Sequence, residues 1–450
     1  MAERPLLEVE NLEVHFPLRA SFGARLLGRN TGAVQAVDGV SFELRKGEVL
    51  GVVGESGSGK TTLGRALLRL VEPTGGAIRL EGTDVAALGE RQVRALRRRM
   101  QMVFQDPHAS LNPAMTIETA VGHPLIIHKL ARGRADVRRR VSAALERVGL
   151  TPPEQYLGKY PSDLSGGQKQ RAVLARAVIL EPTLLIADEP VSMLDMSVRA
   201  KILELMLALR NDLDLTYLYI THDLATAKFF CDRVAIMYLG RIVELGPTSE
   251  IFANPRHPYT VSLLKAIPDP DPSRGVPRDL PRGEVPDAAS PPLGCRFHPR
   301  CPRAFEVCGW EARDLRDLLE RRWAQAGEDR FEAERRLIGD LSQLDEPQTD
   351  VAIRPGGGHT AAELAEMLAA MRTEQQDEPL WRGVQSMEPA GDQVRIRFHE
   401  PLDPALRRDG PVDVACHLYD PDALKRAGRE AAAERASSAA GGAPPTGLTM

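Results

Sequence analysis

The residues best suited to chemistry lie in the string GESGSGKT, from Gly54 to Thr61. Its pattern, G-x-x-x-x-G-K-[ST], follows an apolar run and precedes a helix-like segment, as a phosphate-binding loop requires. Glycines let main-chain N–H groups approach a phosphate closely, and a helix start adds its positive end. We expect Lys60 to reach the β- and γ-phosphates and Thr61 to bind Mg²⁺. The predicted nucleotide contacts in this segment are Gly54, Glu55, Ser56, Gly57, Ser58, Gly59, Lys60, Thr61 and Thr62.

Two acidic residues follow a second apolar run. The run, TLLIA at 183–187, reads as a buried strand of a parallel sheet and ends in Asp188 and Glu189. Ligands of such sheets bind at the carboxyl ends of the strands. We therefore expect Asp188 to hold Mg²⁺, directly or through water, and Glu189 to orient or deprotonate an attacking water.

A third string, LSGGQKQR at 164–171, opens another helix-like segment. A serine followed by glycines at a helix start offers a hydroxyl and bare N–H groups to an anion. The predicted anion contacts are Ser165, Gly166, Gly167 and Gln168. A plain helix N-cap is the alternative, and the two roles are compatible.

Together these strings resemble the ATP-binding cassette (ABC) ATPases, whose signature is LSGGQ. The resemblance implies an α/β fold: a P-loop ABC ATPase domain with a RecA-like core, an antiparallel β subdomain and a helical subdomain. It implies that the signature closes over ATP bound by a second ATPase subunit. It also implies catalytic roles for Gln105 in VFQDP, which senses Mg²⁺, and for His222 in YITHD, a switch at the γ-phosphate. SMLD at 192–195 matches the dimer-contact loop, and Phe16 matches an adenine-stacking ring, with a core role as the alternative.

Composition narrows the function classes. The chain has 450 residues, too many for one ordinary domain, and a net charge of −4, which gives no general sign of nucleic-acid binding. No apolar stretch approaches the ~20 residues of a membrane helix, and the first residues lack the apolar core of a signal peptide. We expect a peripheral protein at the cytoplasmic face of the membrane, held there by partners.

One basic stretch lies inside the cassette. ARGRADVRRRVSAALERVG at 131–149 falls where the family has its helical subdomain, which docks on the membrane partner. A nucleic-acid or lipid surface is the alternative for such a basic helix.

The next part resembles the C-terminal region of the oligopeptide and dipeptide importer ATPases. RHPYTVSLL at 256–264 leads into a segment with ten prolines between Pro268 and Pro302, and then into GCRFHPRCP. We predict an ABC domain at 1–260 and a Pro-rich linker at 261–294. A cysteine-cluster domain follows at 295–422, with a disordered tail at 423–450.

Four of the five cysteines suggest a metal centre. Cys295, Cys301 and Cys308 form a C-x5-C-x6-C cluster, whereas Cys231 reads as a core residue. A cytosolic setting argues against disulfides, and the spacing exceeds the C-x2–4-C usual for zinc. A [4Fe–4S] cluster takes four thiolates, and Cys416 is the natural fourth, which the family resemblance supports. Zinc and no metal remain the alternatives.

About a hundred residues separate Cys308 from Cys416, whereas the family has a short loop there. Residues 309–411 carry 22 acids and 14 arginines without lysine, net −8, and we expect an accessory lobe. Apolar spacing predicts helices over 315–323, 331–344 and 364–371, and alternation over 394–398 predicts an edge strand.

The sequence thus predicts the ATP-hydrolysing subunit of a membrane importer for peptides. Its expected partners are a second ATPase subunit (a paralogue or a second copy), two permease subunits and, indirectly, an extracytoplasmic binding protein. Its expected cofactors are ATP, Mg²⁺ and a [4Fe–4S] cluster, and the cysteine domain could act as a redox sensor. The alternative function is a soluble ABC-type ATPase that acts on nucleic acid or ribosomes.

Overall fold

The computed structural model describes residues 4–18, 32–106, 110–267 and 282–428. Contacts divide the chain into two units, Met1–Asn254 and Pro255–Met450. In the described residues, no helix has both the length and the apolar character needed to cross a bilayer.

The first unit contains an antiparallel sheet with the strand order β2-β1-β4-β5. Buried and outward-facing positions alternate along much of β1, which indicates a sheet with one face on the core. The strands are β1 (Leu7–Pro17), β2 (Ala33–Leu44), β4 (Gly75–Leu80) and β5 (Thr83–Asp84).

A second, mostly parallel sheet of this unit has the order β10-β9-β3-β8-β7-β6. Every residue of β3 and β7 is buried, as continuously apolar central strands require. Only β10 runs antiparallel to its neighbour within this order. The strands are β3 (Val49–Val53), β6 (Met100–Val103), β7 (Leu184–Asp188), β8 (Thr216–Thr221), β9 (Arg233–Tyr238) and β10 (Arg241–Pro247).

Helices of the first unit fall into two sets. Helix α1 packs into a core shared by both sheets, through Leu63 and Leu67. Helices α3, α4 and α6 contact one another and build the expected helical subdomain. The helices are α1 (Lys60–Leu67), α2 (Glu90–Leu96), α3 (Ile117–Ile127), α4 (Arg134–Arg147), α5 (Glu154–Leu157), α6 (Gly166–Val178), α7 (Met196–Leu213), α8 (Leu224–Phe230) and α9 (Thr248–Ala253).

The second unit combines helices with a three-stranded antiparallel sheet of order β11-β13-β12 and a β14–β15 hairpin. Its strands are β11 (Asp350–Ile353), β12 (Val384–Ala390), β13 (Gln393–Phe398), β14 (Arg407–Asp409) and β15 (Val412–Val414). Its helices are α10 (Pro258–Lys265), α11 (Ala312–Gln325), α12 (Glu328–Ile338), α13 (Ala361–Glu374), α14 (Leu380–Gly383) and α15 (Pro421–Arg426).

Two sequence-based expectations for this unit are wrong in detail. The strand over 394–398 is central in its sheet and not an edge, because β11 and β12 pair with it on either side. The helix predicted over 331–344 ends at Ile338, and a separate 3₁₀ turn spans Leu341–Leu344. Gly339, with φ of 76°, separates the two.

The predicted linker and tail are described only in part. Residues 268–281 of the linker and 429–450 of the tail lie outside the described residues. Within 261–294 the first residues continue helix α10 to Lys265. The tail prediction is wrong at its start, because Pro421–Arg426 form helix α15, capped by the Asp420 side chain.

Candidate functional site

Four adjacent parallel strands bring the predicted catalytic residues to one edge of the sheet. The phosphate loop follows β3, and His222 follows β8. Glu189 follows β7, and Gln105 lies just beyond β6. Because β3, β8, β7 and β6 are neighbours in that order, their carboxyl ends form a continuous site.

The phosphate loop can be built only with glycine at two points. Gly59 has φ of 99°, and a Cβ there would lie 1.9 Å from the Ala36 carbonyl oxygen. A Cβ on Gly54 would lie 2.1 Å from the Met237 carbonyl oxygen. The loop backbone is thus pressed against its neighbours, which fixes the direction of its N–H groups.

Lys60 is held inside this loop. Its Nζ donates hydrogen bonds to the carbonyl oxygens of Gly54 and Glu55, both at 2.8 Å. Burial lowers the pKa of Lys60, while the carboxylates of Glu189, Asp188 and Glu55 oppose that shift. An ammonium group held by two carbonyl oxygens inside the loop is well placed to bind phosphate oxygens.

A hydroxyl and a carboxylate meet beside the lysine. Thr61 Oγ1 donates to Asp188 Oδ1 at 3.1 Å, and Asp188 is almost fully buried. Burial raises the pKa of Asp188, and the hydrogen bond from Thr61 opposes this effect. These are the hard oxygen donors that Mg²⁺ prefers, so ATP with Mg²⁺ fits this site.

Glu189 is the centre of the predicted catalytic residues. Gln105 Nε2 donates to Glu189 Oε2 at 3.0 Å, and His222 Nδ1 lies 2.9 Å from Glu189 Oε1. Glu189 has φ of 48°, which is unusual for a residue with a side chain. Its N–H donates to the Ile220 carbonyl at 2.8 Å and holds this conformation. The geometry leaves one carboxylate oriented from both sides by polar groups.

The signature residues form a helix cap in the structure. The Ser165 side chain accepts from Gln168 N, and the Gln168 side chain accepts from Ser165 N at 2.9 Å, a capping box at the start of α6. Ser165, Gly166 and Gly167 are exposed. A Cβ on Gly167 would lie 2.7 Å from Val198 Cγ1, so glycine permits close packing on α7.

Two other candidates are exposed. Phe16, on β1, is 41% exposed, which argues against the alternative of a core residue. In the predicted dimer-contact loop, Met193 is 62% exposed, and the adjoining Met196 is 85% exposed.

One pair was missed by sequence reasoning. Arg199 on α7 donates to Asp223 Oδ2 at 3.0 Å, and its guanidinium also reaches the Leu194 carbonyl. The pair joins the SMLD loop to the segment that carries His222. No local pattern signals it, because the two residues are 24 positions apart.

In the second unit, the four predicted metal ligands line one small cavity. Cys295, Cys301, Cys308 and Cys416 surround a free volume of about 10 Å³, together with His257, His298 and His417. None of the four cysteines forms a disulfide among the described residues.

Main-chain N–H groups point at the cysteine sulfurs. Phe305 N donates to Cys308 Sγ at 3.4 Å. Cys301 accepts main-chain hydrogen bonds from Arg303 and Ala304, and Cys416 accepts one from Leu418. Burial is the main cause that raises the pKa of Cys301 to about 12 and of Cys308 well above its usual value, and Cys295 adds to both shifts.

A single-ion site is not formed by these groups. Within the described residues, no set of three or more His, Cys, Asp or Glu side chains is arranged to hold one metal ion.

Comparison with known proteins identifies both parts of the chain. Residues 37–192 match the family model for the ABC transporter, and residues 243–308 match the model for the oligopeptide/dipeptide transporter, C-terminal region. A Brucella ovis protein provisionally named as a peptide import ATP-binding protein is 46% identical over 318 residues, 71% of this chain and 96% of the relative. The oligopeptide transport ATP-binding protein AppF of Bacillus subtilis is 45% identical over 309 residues, 68% of this chain and 92% of AppF.

The P-loop fold and the carboxylate-centred site define an ABC-type ATPase. The similarity covers nearly the whole length of these two relatives. It includes residues 243–308 of this chain, which match the C-terminal region of the oligopeptide/dipeptide transporter family. The chain belongs to the ATP-binding proteins of the oligopeptide/dipeptide ABC transporter family.

Proposed function

We propose that this chain powers the import of peptides by a membrane ABC transporter. The observation that carries the proposal is the unbroken similarity to peptide-transport ATP-binding proteins, which extends through the oligopeptide/dipeptide C-terminal region at 243–308. Its partners would be two permease subunits, a second ATPase subunit and, indirectly, an extracytoplasmic binding protein, with the chain at the cytoplasmic face of the membrane. A soluble ATPase that acts on nucleic acid or ribosomes gains no support from this similarity.

Co-purification and stimulation test this proposal. We expect permease subunits to co-purify with the chain in detergent and to stimulate its ATP hydrolysis. We expect DNA or RNA at matched concentration to leave the rate unchanged. Stimulation by nucleic acid and none by the permease would contradict the proposal.

The geometry supports a separate role in ATP hydrolysis for each of these side chains. Lys60 and the loop N–H groups would bind the β- and γ-phosphates, and Thr61 and Asp188 would hold Mg²⁺. Glu189 would accept a proton from the attacking water, with Gln105 and His222 fixing its two oxygens. His222 would sense the γ-phosphate, because its side chain is about half exposed at this edge.

Each ATP site would be completed by the signature residues of a second ATPase subunit. The exposed N-terminus of α6 presents Ser165, Gly166 and Gly167 to an incoming anion. The hydrogen bonds of the Ser165 and Gln168 side chains join these residues to each other, so the cap is preorganised. ATP bound by one subunit would then be covered by this cap of the other, and Phe16 would stack on its adenine.

A [4Fe–4S] cluster on Cys295, Cys301, Cys308 and Cys416 is the second part of the proposal. The donor set supports it: four sulfurs at one cavity, with main-chain N–H groups aimed at three of them. Burial raises the pKa of Cys301 to about 12 and the pKa of Cys308 well above its usual value, and metal binding would hold these groups as thiolates. Within the described residues, no set of three or more His, Cys, Asp or Glu side chains is arranged to hold a metal ion, so the four cysteines would have to move to hold the cluster.

When bound, the cluster would supply one-electron redox chemistry or would brace the structure. If the cluster changes its redox state in the cell, the second unit would act as a redox sensor. The 10 Å³ cavity is too small for a cluster unless the cysteine side chains move apart. Anaerobic purification should give brown protein that contains iron and acid-labile sulfide in equal amounts. Colourless, iron-free protein fully loaded with zinc would contradict the cluster.

A further inference from the structure

Arg199, in the first turns of α7, joins two segments that lead to the ATP site. Its Nη1 donates a hydrogen bond to Asp223 Oδ2 at 3.0 Å. Its Nη2 donates to the carbonyl oxygen of Leu194, in the SMLD loop, at 3.4 Å. Both side chains of the Arg199–Asp223 ion pair are largely shielded from water, with 29% and 30% exposed. A planar guanidinium that contacts two acceptors at once fixes the distance between them.

Asp223 holds the main chain next to His222. Its Oδ1 caps helix α8 by accepting from Ala225 N at 2.9 Å and from Thr226 N at 3.4 Å. Its own N–H donates to Thr221 Oγ1 at 3.0 Å. Strand β8 fixes the chain before His222, and these hydrogen bonds fix it after His222. The direction of the His222 side chain therefore depends on where Asp223 is held.

The other end of the SMLD loop is attached to Glu189. Ser192 N and Ser192 Oγ donate to the Glu189 carbonyl oxygen at 3.2 and 3.0 Å. The loop is thus tied to Glu189 at its start and, through Arg199, to Asp223 at its end. Because His222 Nδ1 lies 2.9 Å from Glu189 Oε1, these contacts close into a ring. Arg199 is the link of that ring that joins the loop to the segment after β8.

We propose that Arg199 is a positioning residue for ATP hydrolysis, which keeps the segment that carries His222 in contact with Glu189. The inference rests on the proposed catalytic roles of those two residues. Arg199 acts on the main chain beside His222 and not on the reacting atoms. It should therefore affect the rate of hydrolysis more than the binding of ATP.

The test is steady-state ATP hydrolysis by the purified full chain. Arg199→Met keeps the length of the side chain and removes its donors and charge. We expect kcat to fall by about tenfold and KM for ATP to stay within about twofold. Arg199→Lys keeps the charge opposite Asp223 but not the two-pronged contact, so its kcat should be intermediate. Lys201→Met is the matched control, because Lys201 is exposed on the same helix, and its kcat should be unchanged.

Two further variants separate a role through His222 from a general structural role. Asp223→Asn keeps the oxygen that caps α8 and removes the charge that Arg199 contacts, so it should reduce kcat to a similar extent. This variant also decides the question if Arg199→Met does not fold. In a His222→Ala background, Arg199→Met should cause no further loss of kcat, because the residue through which it acts is already absent.

A second measurement does not depend on turnover. In the full chain labelled with ¹⁵N-histidine, the imidazole signals of His222 are those missing from the His222→Ala spectrum. We expect them to shift in Arg199→Met and to stay in place in Lys201→Met. This measurement decides the question if hydrolysis in the His222→Ala background is too slow to compare.

The outcomes separate this inference from the proposals on which it rests. An unchanged kcat in Arg199→Met, an equal loss with and without His222, or unmoved His222 signals would each overturn the role of Arg199 alone. An unchanged kcat in His222→Ala would overturn both this role and that of His222. None of these results bears on peptide import, which the permease experiment tests.

Discussion

The ATP site and the cysteine cavity differ in how their polar groups are satisfied. At the ATP site, Gln105 and His222 contact the two oxygens of Glu189, and Thr61 contacts Asp188, all through protein atoms. At the cavity, burial and the neighbouring Cys295 raise the pKa of Cys308 well above its usual value. The first site is preorganised by its own side chains, whereas the second is lined by buried thiols.

The two sites also differ in how the fold positions their residues. Strand ends position the ATP-site residues, because β3, β8, β7 and β6 are neighbours in the sheet. The cysteine cavity has a free volume of about 10 Å³ and is lined by four cysteines from separate parts of the second unit. The following variants test each side of the comparison.

The largest expected effect is on hydrolysis. Glu189→Gln keeps the shape of the side chain but replaces one accepting oxygen with an NH2 group and removes the proton acceptor. We expect ATP turnover to fall by about 10²–10⁴-fold, the usual contribution of a general base, while ATP binding is retained. Steady-state hydrolysis and nucleotide binding of the purified chain measure the two quantities.

A matched control for this variant lies on helix α7. Glu204→Gln makes the same chemical change at an exposed position outside the site. Its turnover should equal that of the unchanged chain. Retained hydrolysis in Glu189→Gln would show that Glu189 is not the base.

The second test concerns the cavity. Cys308→Ala removes one of four proposed ligands, and we expect the chain to lose most of its cluster absorbance and acid-labile sulfide. Cys231→Ala is the control, because Cys231 is an equally buried cysteine of the first unit with no place in the cavity. Equal iron contents in the two variants would argue against ligation by Cys308.

Sequence reasoning placed the predicted ATP-site residues at the ends of neighbouring strands, where the structure has them, because they lie in contiguous strings next to strand ends. A run such as TLLIA predicts a buried strand, and its carboxyl end then places Asp188 and Glu189. The contact of Arg199 with Asp223 was missed, since it depends on how α7 packs and on no local pattern.

In the second unit, sequence patterns predict local structure but not how distant segments come together. Alternation over 394–398 correctly predicts a strand with one polar face, but polarity of a face does not identify an edge. Arg395 on that face donates to Asp350 Oδ1 at 2.7 Å, so the charge belongs to a cross-strand pair of a central strand. The presence of Cys416 at the cavity required the fold of about a hundred intervening residues, which spacing alone does not give.

The smallest expected effect is on the pH dependence of stability in the second unit. Burial, with the neighbouring Asp314 carboxylate, raises the pKa of Glu311 from 4.5 to about 7, against the opposing effect of Arg313. Glu311 Oε2 is buried without a hydrogen-bond partner in the described residues. Because the folded pKa exceeds the unfolded one, the folded unit binds this proton more tightly. Its stability should therefore fall as pH rises from 4.5 to about 7, by on the order of 3 kcal/mol.

Glu311→Gln should remove this pH dependence, because the amide does not ionise. All three tryptophans of the chain, Trp310, Trp323 and Trp381, lie in the second unit, so urea unfolding followed by their fluorescence reports on that unit selectively. Glu320→Gln is the control, since Glu320 is exposed on the same helix. If the free energy of unfolding of Glu311→Gln still falls between pH 5 and 7, the proton belongs to another group. If the free energy of unfolding no longer depends on pH in Glu311→Gln but still does so in Glu320→Gln, the buried carboxyl at the start of α11 limits the stability of this unit at neutral pH.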